Sequence, residues 1–486
     1  MSRPLHWYDY ITINIYWLGL TTLAQTLTPL VVPLLVQQFV GEAFKGTFYG
    51  TLRLWTLMVA LLVQALMGML SDRSMLRWGR RRPFILTGTV ADLVILSAIG
   101  LSAGMSGMAG YWFLFGMIIL LMIASNTAHA AQQGLIPDLA PDDKRGRFSG
   151  IKAFFEVPLP LILVPFTIAK LISAGNMWGG LLLAMGILTL SMLLTMLAPE
   201  KQRAEKPPAL DWQSFLRLLG MTALFTTVIL GVGSAIPLAG RALRGVESTA
   251  VLVGVMGLTG LLAMGIAVAL GVWASVQISI GRYAASSNPS FTWWVVSRLA
   301  YLVGSTNLAS FAVYFLQGRL GLVREQAAGP AAMLMLFVGV FVLIMSLVSS
   351  AIADRIGHRR LLVIAGIVAF VGAMVAIAAP NLLVIYGSGC LIGIATGLFF
   401  TSNWALGTRI VPQAEAGRYL GISNLAGAGA GAVGAYIGGP IADYITARAP
   451  GVPGLGYVLL FAIYGIMFLI SVVALRWVKE PPAAQG

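Results

Sequence analysis

Charge is scarce in this sequence, and acidic residues are the scarcest. Only 10% of the 486 residues are charged, with 17 Asp and Glu against 31 Lys and Arg, whereas 58% are hydrophobic. Soluble domains usually carry about 25% charged residues. The shortage of charge therefore excludes an ordinary soluble enzyme and predicts that lipid surrounds most of the fold.

Cysteine is almost absent as well. Cys390, inside an apolar run, is the single cysteine, so no intramolecular disulfide and no cysteine-based metal site can form. The N-terminal residues lack a short apolar segment with a small-residue cleavage site, so no cleavable signal peptide is expected. No P-loop and no catalytic constellation is present. We expect neither an enzyme nor an ATP-driven pump, and no cofactor.

Long apolar runs are abundant. A helix that crosses a bilayer needs roughly 20 apolar residues, because each residue adds about 1.5 Å against about 30 Å of hydrocarbon. The sequence predicts fourteen such spans, at 11–36, 52–70, 84–104, 111–133, 149–172, 177–197, 214–236, 250–275, 291–316, 331–353, 361–379, 382–407, 419–439 and 456–478.

The net charge of +14 could indicate a nucleic-acid partner, because clustered Lys and Arg neutralise phosphates. Membrane proteins, however, concentrate Lys and Arg in short cytoplasmic loops. Most of the 31 basic residues fall at span ends that lie on one side when the N-terminus is inside. The pattern predicts a multi-pass cell-membrane protein with both termini in the cytoplasm and no nucleic-acid partner.

Two segments recur along the chain. GRFSGI at 146–151 matches GRYLGI at 417–422, and SDRSMLRWGRRR at 71–82 has a counterpart in ADRIGHRR at 353–360. The two members of each pair occupy equivalent positions beside their spans, with the chain running in the same direction, which is typical of parallel repeats.

The repeat predicts three parts. Residues 1–197 and 291–486 form two six-span halves, and 198–290 form a linker that carries two inserted spans. An even number of inserted spans leaves the second half in the same orientation as the first.

The basic loop after the second span contains an Asp-Arg pair, Asp72 and Arg73, which recurs as Asp354 and Arg355. An aspartate at a span end can cap a neighbouring helix or pair with arginine, and either contact would hold an inner gate closed. A plain positive-inside anchor is the alternative. Together with Arg80, these four residues are our predicted gate.

The loop GMLSDRSMLRWGRRRPFIL at 68–86 resembles G-x-x-x-D-R-x-G-R-[KR], the hallmark of the major facilitator superfamily. Its longer spacing with G-R-R-R-P-F, and NTAHAAQQGLIPDLAPDDKRGR at 126–147, resemble the sucrose and glycoside–pentoside–hexuronide cation symporter branch. The resemblance covers 1–197 and 291–478. Met122 departs from it, because sucrose transporters carry an aspartate in this part of the fourth span.

This resemblance implies an all-α, two-half helical bundle of twelve core spans, here with two inserted spans. It further implies a secondary transporter that moves a small solute, in the sugar or glycoside class, by alternating access and with a proton or sodium ion. A monomer in the lipid bilayer is expected. Efflux of amphipathic compounds, or a non-transporting assembly factor for pigment or lipid, are the alternatives.

Polar residues inside the spans are the candidate solute-binding groups, because polar groups facing lipid are costly. Asn126, His129 and Gln133 share one face of the fourth span. By resemblance this span lines the transport cavity, although interhelical hydrogen bonding would also explain the face. A metal site at His129 is not expected, because no partner lies at ligand spacing.

The second half supplies four further candidates. Arg298 lies within a span, where an ionisable residue indicates a functional site unless it snorkels to the surface. Asn307 lies on a second polar face of the same span. Asn403 and Trp404 place an amide beside an aromatic ring, a common arrangement for holding a sugar, although Trp404 would also suit a membrane interface.

Glu156 is our predicted coupling residue, because burial of a carboxyl group can bring its titration into the working range. It lies in the fifth span, which borders the cavity by resemblance. Lys152 lies one turn before it, so a permanent ion pair is the alternative. Asp92, the other carboxylate well inside the core spans, is expected to pack against a partner.

Overall fold

The computed structural model describes residues 6–200, 210–281, 286, 288–411 and 416–480. Residues 201–209, 282–285 and 287 of the predicted linker, and most side chains of the repeat segment 417–422, lie outside the described part. Within it, the protein is a helical membrane protein, with 13 helices long and apolar enough to cross a bilayer and one bent helix pair that makes a fourteenth. The predicted all-α fold with fourteen spans is confirmed.

We number the helices in chain order, treating the bent pair as one. They are α1 (Asp9–Val40), α2 (Lys45–Asp72), α3 (Arg82–Ser102), α4 (Gly107–Leu139), α5 (Asp142–Ser173), α6 (Met177–Thr195), α7 (Trp212–Ala242), α8 (Thr249–Ser279), α9 (Pro289–Ser310 with Ala312–Leu320), α10 (Glu325–Ile356), α11 (His358–Ala378), α12 (Leu382–Ile410), α13 (Ile422–Arg448) and α14 (Leu455–Trp477).

Three helices are irregular. α1 widens into a π-helical turn at Leu27–Val31, which contains Pro29, and α5 does so at Val164–Ile168, which contains Pro165. Proline has no N–H group to donate to the preceding turn, so the ladder of hydrogen bonds is interrupted there. α9 bends by 61° where its two parts meet.

Helix contacts divide the chain into two compact units. The first comprises the described residues within Met1–Phe39, Val59–Phe215 and Arg324–Ala332. Its helices approach closely at glycine: a Cβ atom at Gly88 of α3 would lie 2.7 Å from the Ala124 carbonyl oxygen of α4. Small residues allow such close packing in lipid, where helix association depends on van der Waals contact.

The second unit comprises the described residues within Val40–Met58, Leu216–Val323 and Met333–Gly486. It includes the first turns of α2 and nearly all of the inserted pair α7 and α8. Phe225 of α7 is buried against Gly271 of α8 and Gly429 of α13, where a Cβ atom would overlap its ring. Glycine at these two positions therefore allows the aromatic ring to pack directly against the backbones of α8 and α13. The division at 197 and 290 remains a prediction about the repeat.

Each unit contains the same helix cap. Glu200, after α6, accepts hydrogen bonds from the backbone N–H groups of Arg80, Arg81 and Arg82 at 2.8–3.0 Å. Glu480, after α14, accepts from those of His358 and Arg359 at 3.0 and 3.1 Å.

In both cases a glycine with positive φ, Gly79 or Gly357, precedes the capped helix and lets the chain turn toward the carboxylate. The matching caps support the parallel repeat.

Candidate functional site

The first unit contains a polar cluster around Trp17 of α1. The edge of its indole meets the His129 ring, with centroids 5.2 Å apart, and the Lys152 ammonium lies 4.0 Å from the indole centroid. His129 in turn lies 3.2 Å from the Gln133 amide nitrogen. The cluster therefore joins α1, α4 and α5 through aromatic, cationic and amide groups.

One donor of this cluster is unused. Trp17 is 3% exposed, and its indole Nε1 has no hydrogen-bond partner in the part of the chain that the structure describes. A buried polar group without a partner is costly, so the indole N–H is available to a ligand. Asn126 donates to the Met122 carbonyl of its own helix, 2.8 Å away. The structure thus joins His129 and Gln133 to Trp17, a residue that sequence reasoning missed.

Glu156 pairs with Lys152 at 3.5 Å, and the two side chains are 34% and 30% exposed. The contact matches the ion pair named as the alternative to a coupling role, and its partial exposure leaves it free to separate. Asp92 on α3 differs, because it is fully buried and neither carboxylate oxygen forms a hydrogen bond to the described residues. The sequence predicts that Asp92 packs against a partner, and the Ser125 side chain of α4 is a polar neighbour among the described residues.

In the second unit, Arg298 of α9 contacts Asn403 of α12. An Arg298 Nη donates to the Asn403 side-chain oxygen at 2.6 Å, and the Trp294 indole N–H donates to the Asn403 backbone carbonyl at 3.2 Å. The Arg298 guanidinium also lies 6.0 Å from the Trp294 ring centroid. Two residues predicted separately therefore form one site, and Trp294 supplies its aromatic ring.

Asn307 and Trp404 lie elsewhere. Asn307 is fully buried and donates to the backbone carbonyls of Val303 and Ala430, at 2.9 and 3.1 Å. These contacts join α9 to α13, so they match the interhelical role. Trp404 is 51% exposed, which suits a side chain at the lipid surface better than a partner of Asn403.

The predicted gate loop contains a charged network centred on Arg81. Arg81 forms ion pairs with Asp72 and Asp138, and its Nη1 donates to the Ser71 hydroxyl at 2.6 Å. Arg80 pairs with the same Asp138. A Cβ atom at Gly134 of α4 would overlap the Arg81 guanidinium.

Sequence reasoning left Arg81 out of the predicted gate. An acid at the end of an apolar span, Asp138 of α4, was the available signal for this network.

Arg81, and the Glu200 carboxylate that binds the backbone of the same loop, lie outside the spans and have shifted pKa values. Burial lowers the pKa of the Arg81 guanidinium, but the neighbouring carboxylates of Asp138 and Asp72 together raise it by more. The pKa of Arg81 is therefore raised. Burial also raises the pKa of Glu200, against the three backbone N–H groups that favour its charged form. Arg81 therefore remains charged, and Glu200 holds its proton more tightly than an exposed glutamate.

The other predicted gate residues have weaker contacts. Arg73 donates to the Met69 carbonyl at 3.3 Å. Asp354 and Arg355 are exposed, and neither forms an ion pair with another described residue. The network at Asp72 is therefore not repeated at the equivalent pair in the second unit.

A third polar cluster, which sequence reasoning missed, lies at the first turn of α2 within the second unit. Asp443 of α13 accepts the backbone N–H groups of Gly46 and Thr47, at 2.9 and 2.6 Å, and the Thr47 hydroxyl at 2.7 Å. Lys45 is buried and donates to the Gln317 amide oxygen at 2.8 Å. Asp443 caps α2, and its place in a glycine-rich helix was the available signal.

Among the described residues, no group of three or more His, Cys, Asp or Glu side chains could hold a metal ion.

Solved structures of transporters share this fold. An auto-inhibited POT family peptide transporter superposes with a TM-score of 0.65 at 13% identity, over 99% of this chain and 98% of the other. The nucleoside transporter NupG superposes with a TM-score of 0.61 at 13% identity, over 97% and 99%. Identities this low establish the fold and not the substrate.

A curated relative and a family model complete the comparison. The lactose permease of Lactobacillus helveticus is 29% identical over 141 residues, which cover 27% of this chain and only 22% of the relative. The model of the Major Facilitator Superfamily matches residues 18–323 and 295–486. The chain therefore belongs to the Major Facilitator Superfamily.

Proposed function

We propose that this membrane transporter moves a small solute of the sugar or glycoside class by alternating access, coupled to a proton or sodium ion. Membership of the superfamily supports transport rather than enzymatic activity. The partial likeness to a lactose permease, and the branch motifs of the basic loop, support the solute class. We further propose a monomer in the cell membrane with both termini in the cytoplasm.

The Trp17 cluster is the observation that carries this proposal. It combines a buried indole with an unused N–H, a histidine and an amide. Aromatic faces with a few convergent polar groups are typical of small-molecule sites. We assign solute binding to Asn126, His129, Gln133, Arg298 and Asn403, as predicted from the sequence, and add Trp17. Asn307 and Trp404 are left out, because their contacts fit an interhelical role and a lipid-facing position.

A thermal-shift screen of the purified protein tests the solute class. A ligand that binds the folded state raises its melting temperature. We expect a sugar or glycoside to stabilise the protein and Trp17→Leu to remove the effect. Stabilisation only by amphipathic cations would favour efflux, and stabilisation only by pigments or lipids would favour an assembly factor.

Coupling is assigned to Glu156. Its ion pair with Lys152 is long and partly exposed, so a rearrangement could free the carboxyl group to bind a proton. We expect Glu156→Gln to abolish proton-driven accumulation while preserving solute exchange, which moves no net proton. Asp92→Asn, at the other carboxylate of the core spans, is the matched control and should retain accumulation. Accumulation that survives in Glu156→Gln and is lost in Asp92→Asn would instead assign the coupling role to Asp92.

The gate is assigned to Asp72, Arg73, Arg80, Asp354 and Arg355, with Arg81 as the residue that joins Asp72 to Asp138. Opening this end of α2 would have to break those ion pairs. Asp72→Asn should therefore reduce transport far more than solute binding. Equal transport by mutant and wild type would make Asp72 an ordinary loop residue.

A further inference from the structure

We propose that the transported solute carries an oxyanion, a carboxylate or a phosphate, and that Arg298 and Asn403 bind it. The inference rests on the proposed solute transport and narrows the chemical class of the solute. It is argued wholly from contacts within the second unit.

Arg298 has no counterion among the described residues. It makes one side-chain hydrogen bond, to the Asn403 oxygen, and its Nε is buried without an acceptor. A guanidinium offers five N–H donors and stays charged. Burying a cation without a partner is costly, so such a group indicates that a partner arrives from elsewhere.

Asn403 leaves a second donor unused at the same contact. It is fully buried, its oxygen is occupied by Arg298, and its amide nitrogen has no acceptor within the described ranges. The missing partner must therefore accept hydrogen bonds from two donors and balance a positive charge. An oxyanion meets both requirements, whereas a neutral hydroxyl group meets only the first.

The helices around this contact supply no anion of their own. α9 packs chiefly against α8, α12, α13 and α14. The sequences of α8, α9, α12 and α14 contain no Asp or Glu. The single acid of α13, Asp443, already binds the first turn of α2. The charge of Arg298 is thus left for a ligand to neutralise.

The site is also held in place before any ligand binds. The Trp294 N–H donates to the Asn403 carbonyl, and the Trp294 ring fills the space beside Gly407, where a Cβ atom would overlap it. This packing positions the backbone of α12 against α9. A pre-positioned donor pair loses little conformational entropy on binding.

Glucose, glucuronate and glucose 6-phosphate form a matched set of probes, compared at equal ionic strength by thermal shift of the full-length protein. We expect glucuronate, glucose 6-phosphate or both to raise the melting temperature, and glucose to do so far less. The two anionic arms distinguish a carboxylate from a phosphate. Arg298→Gln should weaken anion binding by about 10- to 100-fold, as expected for hydrogen bonds to a charged group.

Two variants control for misfolding and for a non-specific loss of anion binding. Asn403→Asp supplies the missing counterion, so it should keep the fold and abolish anion binding. Arg319→Gln, at an exposed arginine whose Nε already donates to the Ala379 carbonyl, should leave anion binding unchanged.

Equal binding of glucose and the anions, no binding of either anion, or unchanged anion affinity in Arg298→Gln would overturn the inference. Anion binding without flux into proteoliposomes would contradict the proposed transport function and would leave Arg298 and Asn403 as an anion site only. Transport of neutral sugar alone would overturn the inference and leave the proposed transport function standing.

Discussion

Among single residues, Arg81 shows how a buried charge is stabilised at the end of α2. Its side chain is 6% exposed, and it meets two aspartates and a serine hydroxyl. Asp138 is also largely buried, so its charge depends on Arg81 and Arg80. Removing one partner of a buried ion pair leaves the other charge uncompensated.

We therefore expect Arg81→Gln to destabilise the protein by about 3–5 kcal/mol, the range found when a buried pair loses one member. Thermal unfolding in detergent measures the change. Arg77→Gln, in the same loop but at an exposed arginine, should change stability by less than about 0.5 kcal/mol. Equal melting temperatures for the two variants would show that the Arg81 network adds no net stability.

At this scale the sequence predicted residue types better than contacts. Arg298 and Asn403 were both predicted, because polar residues inside apolar spans are conspicuous. Their mutual contact was not, because it joins helices separated by about a hundred residues. Trp404 was favoured as the neighbour of Asn403 in sequence, whereas successive residues of a helix point in different directions and Trp294 is the ring in contact.

Among the helices, α3 begins at a cap supplied from a distant part of the chain. Glu200 accepts three backbone N–H groups at its start, which a helix leaves unpaired by itself. Loss of a cap costs about 1 kcal/mol. Glu200→Ala should therefore lower the melting temperature, and loss of the equivalent acid in Glu480→Ala should have a similar effect. No change in either variant would contradict the capping role.

The pH dependence of this cap follows from the raised pKa of Glu200. Because the folded state binds the proton more tightly than the unfolded state, the contribution of this group to stability is complete below its unfolded pKa. It declines as pH rises through its folded pKa. The melting temperature of the wild type, relative to that of Glu200→Gln, should therefore fall as the pH rises from acidic to neutral. A shift in the opposite direction would contradict the assigned sign.

Helix packing makes opposite predictions for two glycines of α2. A Cβ atom at Gly46 would lie 2.8 Å from both an Asp443 carboxylate oxygen and the Gly439 carbonyl, whereas one at Gly68 would meet nothing within 4 Å. Alanine normally stabilises a helix by up to about 1 kcal/mol relative to glycine.

Gly68→Ala should leave stability unchanged or raise it, and Gly46→Ala should lower it by about 1–3 kcal/mol through overpacking. Thermal unfolding of the two variants side by side decides this, and a stabilising Gly46→Ala would contradict the close approach.

The helices could be predicted because a span is identified by its average hydrophobicity over about twenty residues, which single polar residues change little. The irregularities within the helices could not be predicted. The π-helical turns contain Pro29 and Pro165, but other prolines, such as Pro137 of α4, lie inside regular helix. Whether a proline widens the helix or leaves it regular depends on which neighbouring groups donate hydrogen bonds to the carbonyl that proline leaves free.

For the whole molecule, the testable feature from sequence is the membrane topology. The inserted pair α7 and α8 is helical, as predicted, and the charge pattern predicts that both termini lie in the cytoplasm. A reporter fused at Val246, between the two inserted helices, should therefore lie outside the cytoplasm. A cytoplasmic reporter there would contradict the fourteen-span arrangement.

The central claim is that this member of the superfamily carries a small solute through a site that includes Trp17. Counterflow in proteoliposomes tests it most directly: vesicles loaded with the solute identified by thermal shift are diluted into its radiolabelled form. We predict rapid, saturable uptake by the wild-type protein and uptake near the level of empty vesicles for Trp17→Leu. Equal uptake by wild type and empty vesicles, or full uptake by the variant, would contradict the account.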